Sequence, residues 1–215
     1  MTSSKYRDFL YPCNLRIKIS PDFSESLIGN LKEFINLAFD SFFYNIFVSN
    51  WLIDLNNLMN FRRKEPKAET IKLNETILLY PTDLFYDSLK EMQKFHYLSA
   101  IDLGITHLPL YSSTEKNLIF LYGEAHFNRK CAVVSTYSLR DFQSIIAKKH
   151  TLIEKRIVKE SIHEIGHLIL GISHCINPDC VMNYSTNLEK VDNKQVFLCD
   201  SCHEKLEVIR GNYNF

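Results

Sequence analysis

The feature that most constrains the fold of this chain is the short run from His163 to Cys175, H-E-I-G-H-L-I-L-G-I-S-H-C. The run contains three histidines, a glutamate directly after the first of them and a cysteine directly after the third. Packing in a hydrophobic core gives no reason for that combination. Two histidines four positions apart lie on the same face of a helix, where both can bind one zinc ion. We therefore expect this run to begin as a helix and to form part of a metal site.

The residues around the run continue the helical pattern. Apolar side chains recur at spacings of four, three and four, which is typical of a helix face that packs against a core. This stripe consists of Val158, Ile162, Ile165 and Ile169. His163 and His167 lie about 100° round the helix from the stripe, because each residue advances by that angle. Their ring nitrogens can reach one ion at about 2.0–2.1 Å.

Glu164 lies too far round the helix to be a natural third ligand, and we predict that it is the general base. From the border of the metal's open side it can accept a proton from a water molecule that the zinc activates. Gly171 can adopt a positive φ, end the helix and turn the chain back. His174, three residues later, can then supply the third imidazole.

Four of the six cysteines lie near the C-terminus as two close pairs. Cys175 and Cys180 enclose four residues, and Cys199 and Cys202 enclose two. Two close pairs separated by a loop are typical of a structural zinc site, in which four thiolates leave no open position. A redox-active C-x-x-C motif or disulfide bonds are the alternatives, and neither explains why all four thiols follow this pattern.

The bulk composition indicates one globular domain that does not bind nucleic acid. The chain has 215 residues, 46% of them hydrophobic, which is enough for a sizeable core. The net charge is zero, so no global field attracts the protein to nucleic acid or anionic lipid. The N-terminus lacks the apolar segment of a signal peptide, and no stretch of about 18 apolar residues is present to span a membrane. We therefore expect a cytoplasmic protein with reduced thiols.

Periodicity and turn residues predict a mixed fold. Strands are predicted over residues 14–20, 76–80, 97–103, 118–122 and 131–137, and helices over 25–39, 83–95 and a long segment that ends near residue 170. The apolar stretch 42–58 does not discriminate between strand and helix, and the polar stretch 60–69 is predicted to be a loop. Strands mixed with helices indicate the α/β or α+β class.

Several further segments resemble one peptidase family. H-E-x-x-H followed by Gly-x-x-His resembles the metzincin zinc peptidases, which also carry a methionine turn beneath the metal. A cysteine directly after the third histidine, the triplet Cys180-x-Met182 and the distal C-x-x-C are more specific, and together they resemble the archaemetzincin (archaelysin) family. The segments L-G-I-T-H-L-P-L-Y, C-A-V-V-S-T and V-D-N-K-Q-V-F-L-C-D-S-C are also similar to that family. The resemblance covers roughly residue 98 to the C-terminus.

The resemblance implies a single metzincin-like domain, residues 1–215, of the α/β (α+β) class. A mixed, twisted sheet with helices forms an N-terminal subdomain of about residues 1–171, which includes the active-site helix. A small zinc-stapled C-terminal subdomain of about residues 172–215 carries the methionine turn and the four-cysteine site. The strand over residues 118–122 is then the sheet edge above the cleft, where substrate binds by strand addition. Glu124 and His126 are expected to be solvated near its end.

The same resemblance implies a zinc-dependent metallopeptidase with two zinc ions per chain. The ligands are His163, His167 and His174 for the catalytic zinc, and Cys175, Cys180, Cys199 and Cys202 for the structural zinc. Glu164 is the general base, and Met182 packs beneath the catalytic ligands as the Met-turn residue. Tyr184 is a candidate for contact with the transition state, the alternative being a packed aromatic side chain. The expected partner is a peptide or protein substrate, and the expected state is a monomer.

One departure from the family pattern affects the third ligand. The family has two residues between the second histidine and the glycine, whereas this chain has three. One extra helical residue rotates the next part of the chain by about 100°, so a π-bulge or a looser turn must absorb it. If His174 is lost as a ligand, the alternative is a catalytically weak or inactive zinc-stabilised peptide-binding protein of the same fold. Retention of Glu164 favours the peptidase, because a purely structural site has no use for a base.

Overall fold

The computed structural model describes residues 13–53, 62–66, 76–93, 100–115, 117–141, 149–171 and 173–211. In chain order the elements are β1 (Cys13–Ile19), α1 (Glu25–Ala38), β2 (Phe43–Asn50), β3 (Arg63–Pro66), β4 (Thr76–Pro81), α2 (Thr82–Gln93), β5 (Ala100–Thr106), β6 (Leu110–Tyr111), β7 (Gly123–His126), β8 (Cys131–Ser135), α3 (Lys149–Leu170), α4 (Leu188–Asn193) and α5 (Asp200–Gly211). The predicted mixture of strands and helices is confirmed.

The main sheet has five strands in the order β2-β1-β5-β8-β7. Its first four strands are parallel, and β7 runs antiparallel to β8 at one edge. A smaller sheet has the order β3-β4-β6. The mixed sheet therefore carries a single antiparallel edge strand, and that edge lies beside the long helix α3.

Helices cover both faces of the main sheet. Ala132 and Val134 of β8 point into the main core, together with residues of α1 and α3. The alternate residues Cys131 and Val133 point to the other face, where they pack with residues of α2. This alternation is the period-two pattern of a strand that is buried on both sides.

The C-terminal residues share the main core with the sheet. Cys180, Val181, Met182, Cys202 and Leu206 belong to the same buried cluster as the strands β1, β5 and β8. The predicted division into an N-terminal and a C-terminal subdomain stays a prediction, and it must accommodate this common core.

The predicted elements agree with the structure apart from residues 63–66 and the segment near the cleft. Ser24 caps α1 by accepting a hydrogen bond from the Leu27 amide at 3.1 Å, as its position in the sequence suggests. The ambiguous stretch 42–58 forms the strand β2 as far as residue 50, and residues 54–58 lie outside the described part. The prediction of a loop over residues 60–69 is wrong for residues 63–66, which form β3 and pair with β4. Residues 60–61 and 67–69 lie outside the described part of the chain.

The predicted strand over residues 118–122 is wrong. The edge strand is β7, which begins directly after that segment at Gly123. Phe120 has a φ of 55°, which interrupts an extended conformation, and Ile119 makes only an isolated bridge to Tyr111. The aromatic and aliphatic residues of 118–122 instead line a cleft.

Among the helices that the structure describes, none is long and apolar enough to cross a membrane.

Candidate active site

Helix α3 places four polar side chains on one face beside β7. Glu160, His163, Glu164 and His167 are spaced three, one and three residues apart, so they share that face, and all four are buried. The apolar stripe predicted from the sequence belongs to the main core on the adjacent face. The helix continues to residue 170 as regular α-helix, and Gly171 follows it with a φ of 103°. The extra residue therefore lengthens the helix by one position without a π-bulge.

The first two histidines are held by hydrogen bonds to the backbone. His163 Nδ1 lies 2.8 Å from the Val181 carbonyl oxygen, and His167 Nδ1 lies 3.1 Å from that of Gly171. A carbonyl oxygen only accepts, so each Nδ1 carries the proton and each Nε2 keeps its lone pair. The two Nε2 atoms face each other at 3.1 Å.

His174 lies with these two rings. Its ring centroid is 5.3 Å from that of His163 and 4.8 Å from that of His167. One ring nitrogen from each of the three histidines lies within 4.8 Å of the others. The structure thus brings together all three histidines of the sequence motif, including the one that the extra residue placed in doubt.

This arrangement fits a metal ion. Two facing lone pairs at 3.1 Å repel each other unless a cation lies between them. A proton is a poor candidate, because burial lowers the pKa of His163 well below its usual value and lowers the pKa of His167 to about 4. Nitrogen ligands of a tetrahedral zinc ion, at about 2.0–2.1 Å from it, lie roughly 3.3–3.4 Å from one another. The three imidazoles could therefore hold one such ion.

Glu164 is enclosed between helix α3 and strand β7. A Cβ atom on Gly123 would lie 2.7 Å from Glu164 Oε1 and 2.6 Å from its Cγ, so only a glycine allows this close approach. Burial raises the pKa of Glu164 well above its usual value, and the nearby carboxylates of Glu160 and Glu124 raise it further. The site therefore contains a buried carboxyl group whose proton affinity is increased.

Two further charged residues line the cleft, and sequence analysis missed both. The Lys194 ammonium lies 3.9 Å from Glu160 Oε2, with both side chains almost completely buried. Glu160 had a usable signal, since it lies one helical turn before Glu164 on the same face. Lys194 had none, because it follows the short helix α4 in a polar segment and is buried only through tertiary contacts.

The cleft lies between α3 and the segment that leads into β7. It has a volume of about 570 Å³ and is lined by residues 118–125, by residues 184–186 and by the polar face of α3. Tyr184 is 54% exposed in this cleft, and its ring centroid lies 4.8 Å from that of His174. Tyr184 is thus not a packed aromatic residue of the core, and its ring faces His174.

The expectation that Glu124 is solvated is wrong. The Tyr86 hydroxyl donates to Glu124 Oε2 at 2.8 Å, and the Ser112 hydroxyl donates to Glu124 Oε1. His126 packs edge-on against the Tyr86 ring at 5.4 Å between centroids. Glu124 and His126 therefore both contact Tyr86 of α2.

Met182 lies directly beneath the histidine helix. A Cβ atom on Gly166 would lie 2.2 Å from Met182 Sδ, so the glycine between His163 and His167 allows the sulfur to approach the helix backbone. The Met182 carbonyl oxygen accepts a hydrogen bond from the Cys175 amide at 2.9 Å. The turn around Met182 is thereby joined both to α3 and to the four-cysteine cluster.

The four C-terminal cysteines form one compact cluster. Their sulfur atoms all lie within 4.8 Å of one another, with Cys175 and Cys199 at 3.6 Å and Cys180 and Cys202 at 3.8 Å. These separations are far longer than a disulfide bond and close to the roughly 3.8 Å between thiolates on a tetrahedral zinc ion. The Cys199 amide also donates to Cys180 Sγ at 3.3 Å. The cluster could hold a structural metal ion.

A third group of potential ligands consists of Asp40, His203 and Glu207. Arg210 already pairs with both carboxylates, at 3.0 Å from Asp40 and 2.7 Å from Glu207. This group is better explained as a surface ion-pair network than as a metal site.

A helix with two histidines positioned to bind a metal ion, beside an antiparallel edge strand, with a buried carboxylate and a methionine turn, is the arrangement of a metzincin-type metallopeptidase. The model of Peptidase family M54 matches residues 30–208 of the chain. The chain belongs to this family, and the archaemetzincin resemblance predicted from the sequence is confirmed.

Relatives in this family are similar over different lengths. The archaemetzincin of Methanocaldococcus jannaschii is 41% identical over 129 residues, which cover 60% of this chain and 69% of that protein. That of Saccharolobus solfataricus is 31% identical over 162 residues, covering 74% of this chain and 81% of that protein. That of Pyrococcus horikoshii is 39% identical over 105 residues, so the match spans 49% of this chain and about half, 54%, of that protein.

Solved structures show the same fold. The archaemetzincin of Methanopyrus kandleri aligns with a TM-score of 0.65 and 20% identity over 98% of this chain and 99% of that chain. A zinc-dependent peptidase from Methanocorpusculum labreanum aligns with a TM-score of 0.66 and 21% identity over 90% of this chain and 100% of that chain.

Proposed function

We propose that this protein is a zinc-dependent metallopeptidase that hydrolyses peptide bonds in peptide or protein substrates, with Glu164 as general base. The observation that carries the proposal is the pair of facing Nε2 atoms of His163 and His167, 3.1 Å apart, beside the buried carboxyl group of Glu164. Membership of Peptidase family M54 supports the choice of reaction. The zinc dependence of the Methanocorpusculum labreanum peptidase supports the choice of metal.

We also propose that each chain binds two zinc ions. His163, His167 and His174 hold the catalytic ion, and the cluster of four cysteines holds a structural one. A catalytic zinc supplies a Lewis acid that polarises a carbonyl group and lowers the pKa of water to about 7. The backbone carbonyl groups of Val181 and Gly171 fix the orientation of the first two rings, which keeps their Nε2 atoms directed at the same point.

Glu164 moves the proton. Its carboxylate accepts a proton from the attacking water and later delivers it to the leaving amine nitrogen. Burial raises the pKa of Glu164, as do the charges of Glu160 and Glu124, and a carboxylate with raised proton affinity is the stronger base. Tyr184, exposed in the cleft beside His174, is the candidate for a hydrogen bond to the oxygen on which negative charge develops.

The substrate binds by extending the sheet at β7. The Ser135 amide donates to the Tyr122 carbonyl at 2.8 Å, and the register pairs Glu124 with Val133. Ladder hydrogen bonds alternate along an antiparallel pair, so the main-chain groups of Gly123 and Ala125 face away from β8. These groups lie on the cleft side, where an extended peptide can pair with them whatever its sequence.

The variant Glu164→Gln tests the proposed function. It keeps the shape of the side chain and removes the base, so hydrolysis of a fluorogenic peptide library should fall by at least about 10²–10⁴-fold. The zinc content, measured by elemental analysis, should stay at the wild-type value. Glu154→Gln is the matched control. Glu154 lies on the same helix but away from the cleft, and it accepts a hydrogen bond from the Ser24 hydroxyl at 2.6 Å. Undiminished turnover by Glu164→Gln would contradict the assignment and leave the zinc-stabilised binding protein.

A further inference from the structure

A second cavity lies at the carboxyl ends of three neighbouring parallel strands, β1, β5 and β8. Asp22 follows β1 closely, and His107 and Thr136 directly follow β5 and β8. Small ligands of open α/β sheets usually bind outside the carboxyl ends of such strands. The cavity has a volume of about 620 Å³, within the roughly 300–1,000 Å³ of most ligand pockets. None of the described residues that line it also lines the cleft beside the histidines, so the proposed peptidase function does not account for it.

The part of the cavity that helices α1 and α3 form is apolar, and we call it the apolar wall. It consists of Leu27 of α1 and of Leu152, Ile153 and Ile157 from the N-terminal half of α3. Leu27 and Ile157 are buried, whereas Leu152 is 39% exposed and leaves apolar surface in contact with water. A ligand with an apolar body would remove this surface from water, which is favourable.

The cavity is also lined by three polar side chains in a row, Asp22, His107 and Arg140, which we call the polar row. Asp22 Oδ2 lies 3.0 Å from His107 Nε2, and a guanidinium nitrogen of Arg140 lies 3.0 Å from His107 Nδ1. A guanidinium group only donates hydrogen bonds, so Nδ1 is the acceptor and Nε2 carries the proton of the neutral ring. The Thr136 hydroxyl, 2.7 Å from the same Nδ1, holds the ring in this orientation.

His107 separates two opposite charges without compensating either of them. Burial lowers the pKa of His107 below its usual value, against the opposing effect of the Asp22 carboxylate, so the ring is neutral at pH 7. Within the described part of the chain, no ion pair joins Asp22 directly to Arg140. Their charged atoms are at most about 8 Å apart, because a contact of 3.0 Å lies on either side of two ring nitrogens that are about 2 Å apart.

The spacing of these charges matches an α-amino acid. The ammonium nitrogen and the carboxylate oxygens of an amino acid are about 3 Å apart, and a hydrogen bond of about 2.9 Å at each end extends the span to at most about 9 Å. An apolar acid would bring its negative charge near Asp22, and an apolar amine would bring its positive charge near Arg140. The two termini of a peptide lie farther apart than those of one residue. The polar row therefore favours a single amino acid, which carries both charges.

We propose that this cavity is a binding site for a free apolar α-amino acid, with its carboxylate on Arg140, its ammonium group on Asp22 and its side chain on the apolar wall. The site goes beyond the proposed function and does not depend on it. It lies along the N-terminal half of α3, whereas His163 and His167 lie in the C-terminal half of the same helix. Leucine and isoleucine are the expected ligands, because their side chains are apolar and small enough for the cavity.

Isothermal titration calorimetry of the zinc-loaded protein with L-leucine at pH 7 tests the proposal. We expect a Kd of about 1 mM or lower. N-acetyl-L-leucine lacks the ammonium group and L-leucinamide lacks the carboxylate, so each should bind at least about tenfold more weakly, because a hydrogen bond to a charged group is lost. Glycine lacks the apolar side chain and should also bind at least about tenfold more weakly. The absence of measurable binding at about 10 mM leucine, or equal binding of all four compounds, would overturn the proposal.

Two variants of the polar row test the assignment of its charges. Arg140→Gln and Asp22→Asn should each raise the Kd for leucine at least about tenfold, and both should fold, since both side chains are exposed. Arg129→Gln is the matched control, because Arg129 pairs with Asp87 near the amino end of β8, at the opposite end of that strand from the cavity. This control should leave the Kd within about twofold of the wild-type value. An unchanged Kd in both variants of the polar row would contradict the assignment.

A crystal structure with leucine decides where the ligand binds, since the nitrogen and oxygen atoms of an amino acid can also bind zinc. The expected result is electron density for leucine along the polar row. Leucine bound only at the three histidines would refute the proposed site. None of these measurements needs turnover. A protein that cleaves no peptide would therefore contradict the proposed function and leave the test of this cavity intact.

Discussion

Two glycines determine how closely the surrounding chain approaches helix α3. Gly123 lets the edge strand contact the Glu164 side chain, and Gly166 lets the Met182 sulfur contact the helix backbone. In both places an added Cβ atom would lie less than 3 Å from a neighbouring heavy atom. These glycines are required by contact with another part of the chain and not by a turn.

Replacing Gly123 by alanine should displace Glu164, the proposed general base. The new methyl group would lie 2.6 Å from Glu164 Cγ, so the glutamate must move. A displacement of about 1 Å at a catalytic group can cost about 10²-fold in rate, and we expect a decrease of that order in kcat with zinc content unchanged. Gly29→Ala is the control: nothing lies within 4 Å of the added atom, so activity should be retained and stability should rise by about 0.5–1 kcal/mol. Full activity of Gly123→Ala would show that the close contact is irrelevant.

The six cysteines should differ widely in reactivity once the metal is removed. Burial raises the pKa of Cys13 and of Cys131 to about 12. For Cys199, slight burial opposes ionisation, but the Cys202 amide and the neighbouring thiols lower its pKa to about 7. Only the thiolate is strongly nucleophilic, and its fraction increases as the pH rises through the pKa.

With a chelator present at pH 8, we therefore expect iodoacetamide to modify Cys199 while Cys13 and Cys131 stay unmodified in the folded protein. Mass spectrometry of the digested protein measures this, and saturating zinc is the control, since it should protect Cys199. Equal rates for Cys13 and Cys199 would mean that the Cys13 thiol is accessible and not buried.

Local sequence identified the residues of the site whose roles depend on spacing along the chain. The histidines of α3, the glycine that ends it and the paired cysteines all follow from helical periodicity or from ligand chemistry. The role of Lys194 in the site could not be predicted in this way, because nothing in the adjacent sequence distinguishes it from the exposed Lys190. Its burial results from contact with Glu160, which lies more than thirty positions earlier in the chain.

The edge strand shows where element prediction fails. Residues 118–122 are aliphatic and aromatic and have high strand propensity, whereas β7 contains glycine, glutamate, alanine and histidine. The strand forms at the second segment because its register pairs it with β8 and because Gly123 tolerates helix α3 alongside it. Pairing and packing between elements outweigh the intrinsic preference of either segment. By contrast, α1, α3 and β8 were predicted because each has a clear period and a buried face.

If substrate binds along β7, every second backbone amide of the peptide should contribute a hydrogen bond to binding. If substrate pairs with the outward-facing groups of Gly123 and Ala125, N-methylation at alternate substrate residues removes a hydrogen bond each time. One lost hydrogen bond, about 0.5–1.5 kcal/mol, should raise KM by roughly two- to tenfold. A methylation scan of one cleaved peptide measures this, and the intervening residues are the internal control. A uniform response along the peptide would argue against strand addition.

Among the residues that the structure describes, one main core includes both the sheet and the C-terminal residues. Cys180 and Cys202 are buried in that core while also belonging to the cysteine cluster. The metal bound there would therefore stabilise contacts of the sheet as well as the local chain. Thermal unfolding should then be a single transition and not two.

Removing one thiolate tests this expectation. In Cys199→Ser the zinc content should fall from two ions per chain to one, as measured by elemental analysis. A loss of about 3–5 kcal/mol at that site would lower the melting temperature by roughly 6–20 °C for a chain of this size. Cys13→Ser changes a buried thiol outside the cluster and should keep both ions. Two separate melting transitions in Cys199→Ser would support independent subdomains.

His174 and Cys175 are consecutive, so the third imidazole and the first thiolate lie on neighbouring Cα atoms about 3.8 Å apart. Cys175 is fixed in turn by Met182 and by Cys199, which is made later. During biosynthesis the histidine motif therefore leaves the ribosome before Met182 and Cys199, the residues that hold Cys175 and thus the adjacent His174 in place. With the two proposed zinc sites, loading of the thiol cluster should precede loading of the histidine site, and a nascent chain truncated before Cys199 would carry the whole motif and yet remain inert.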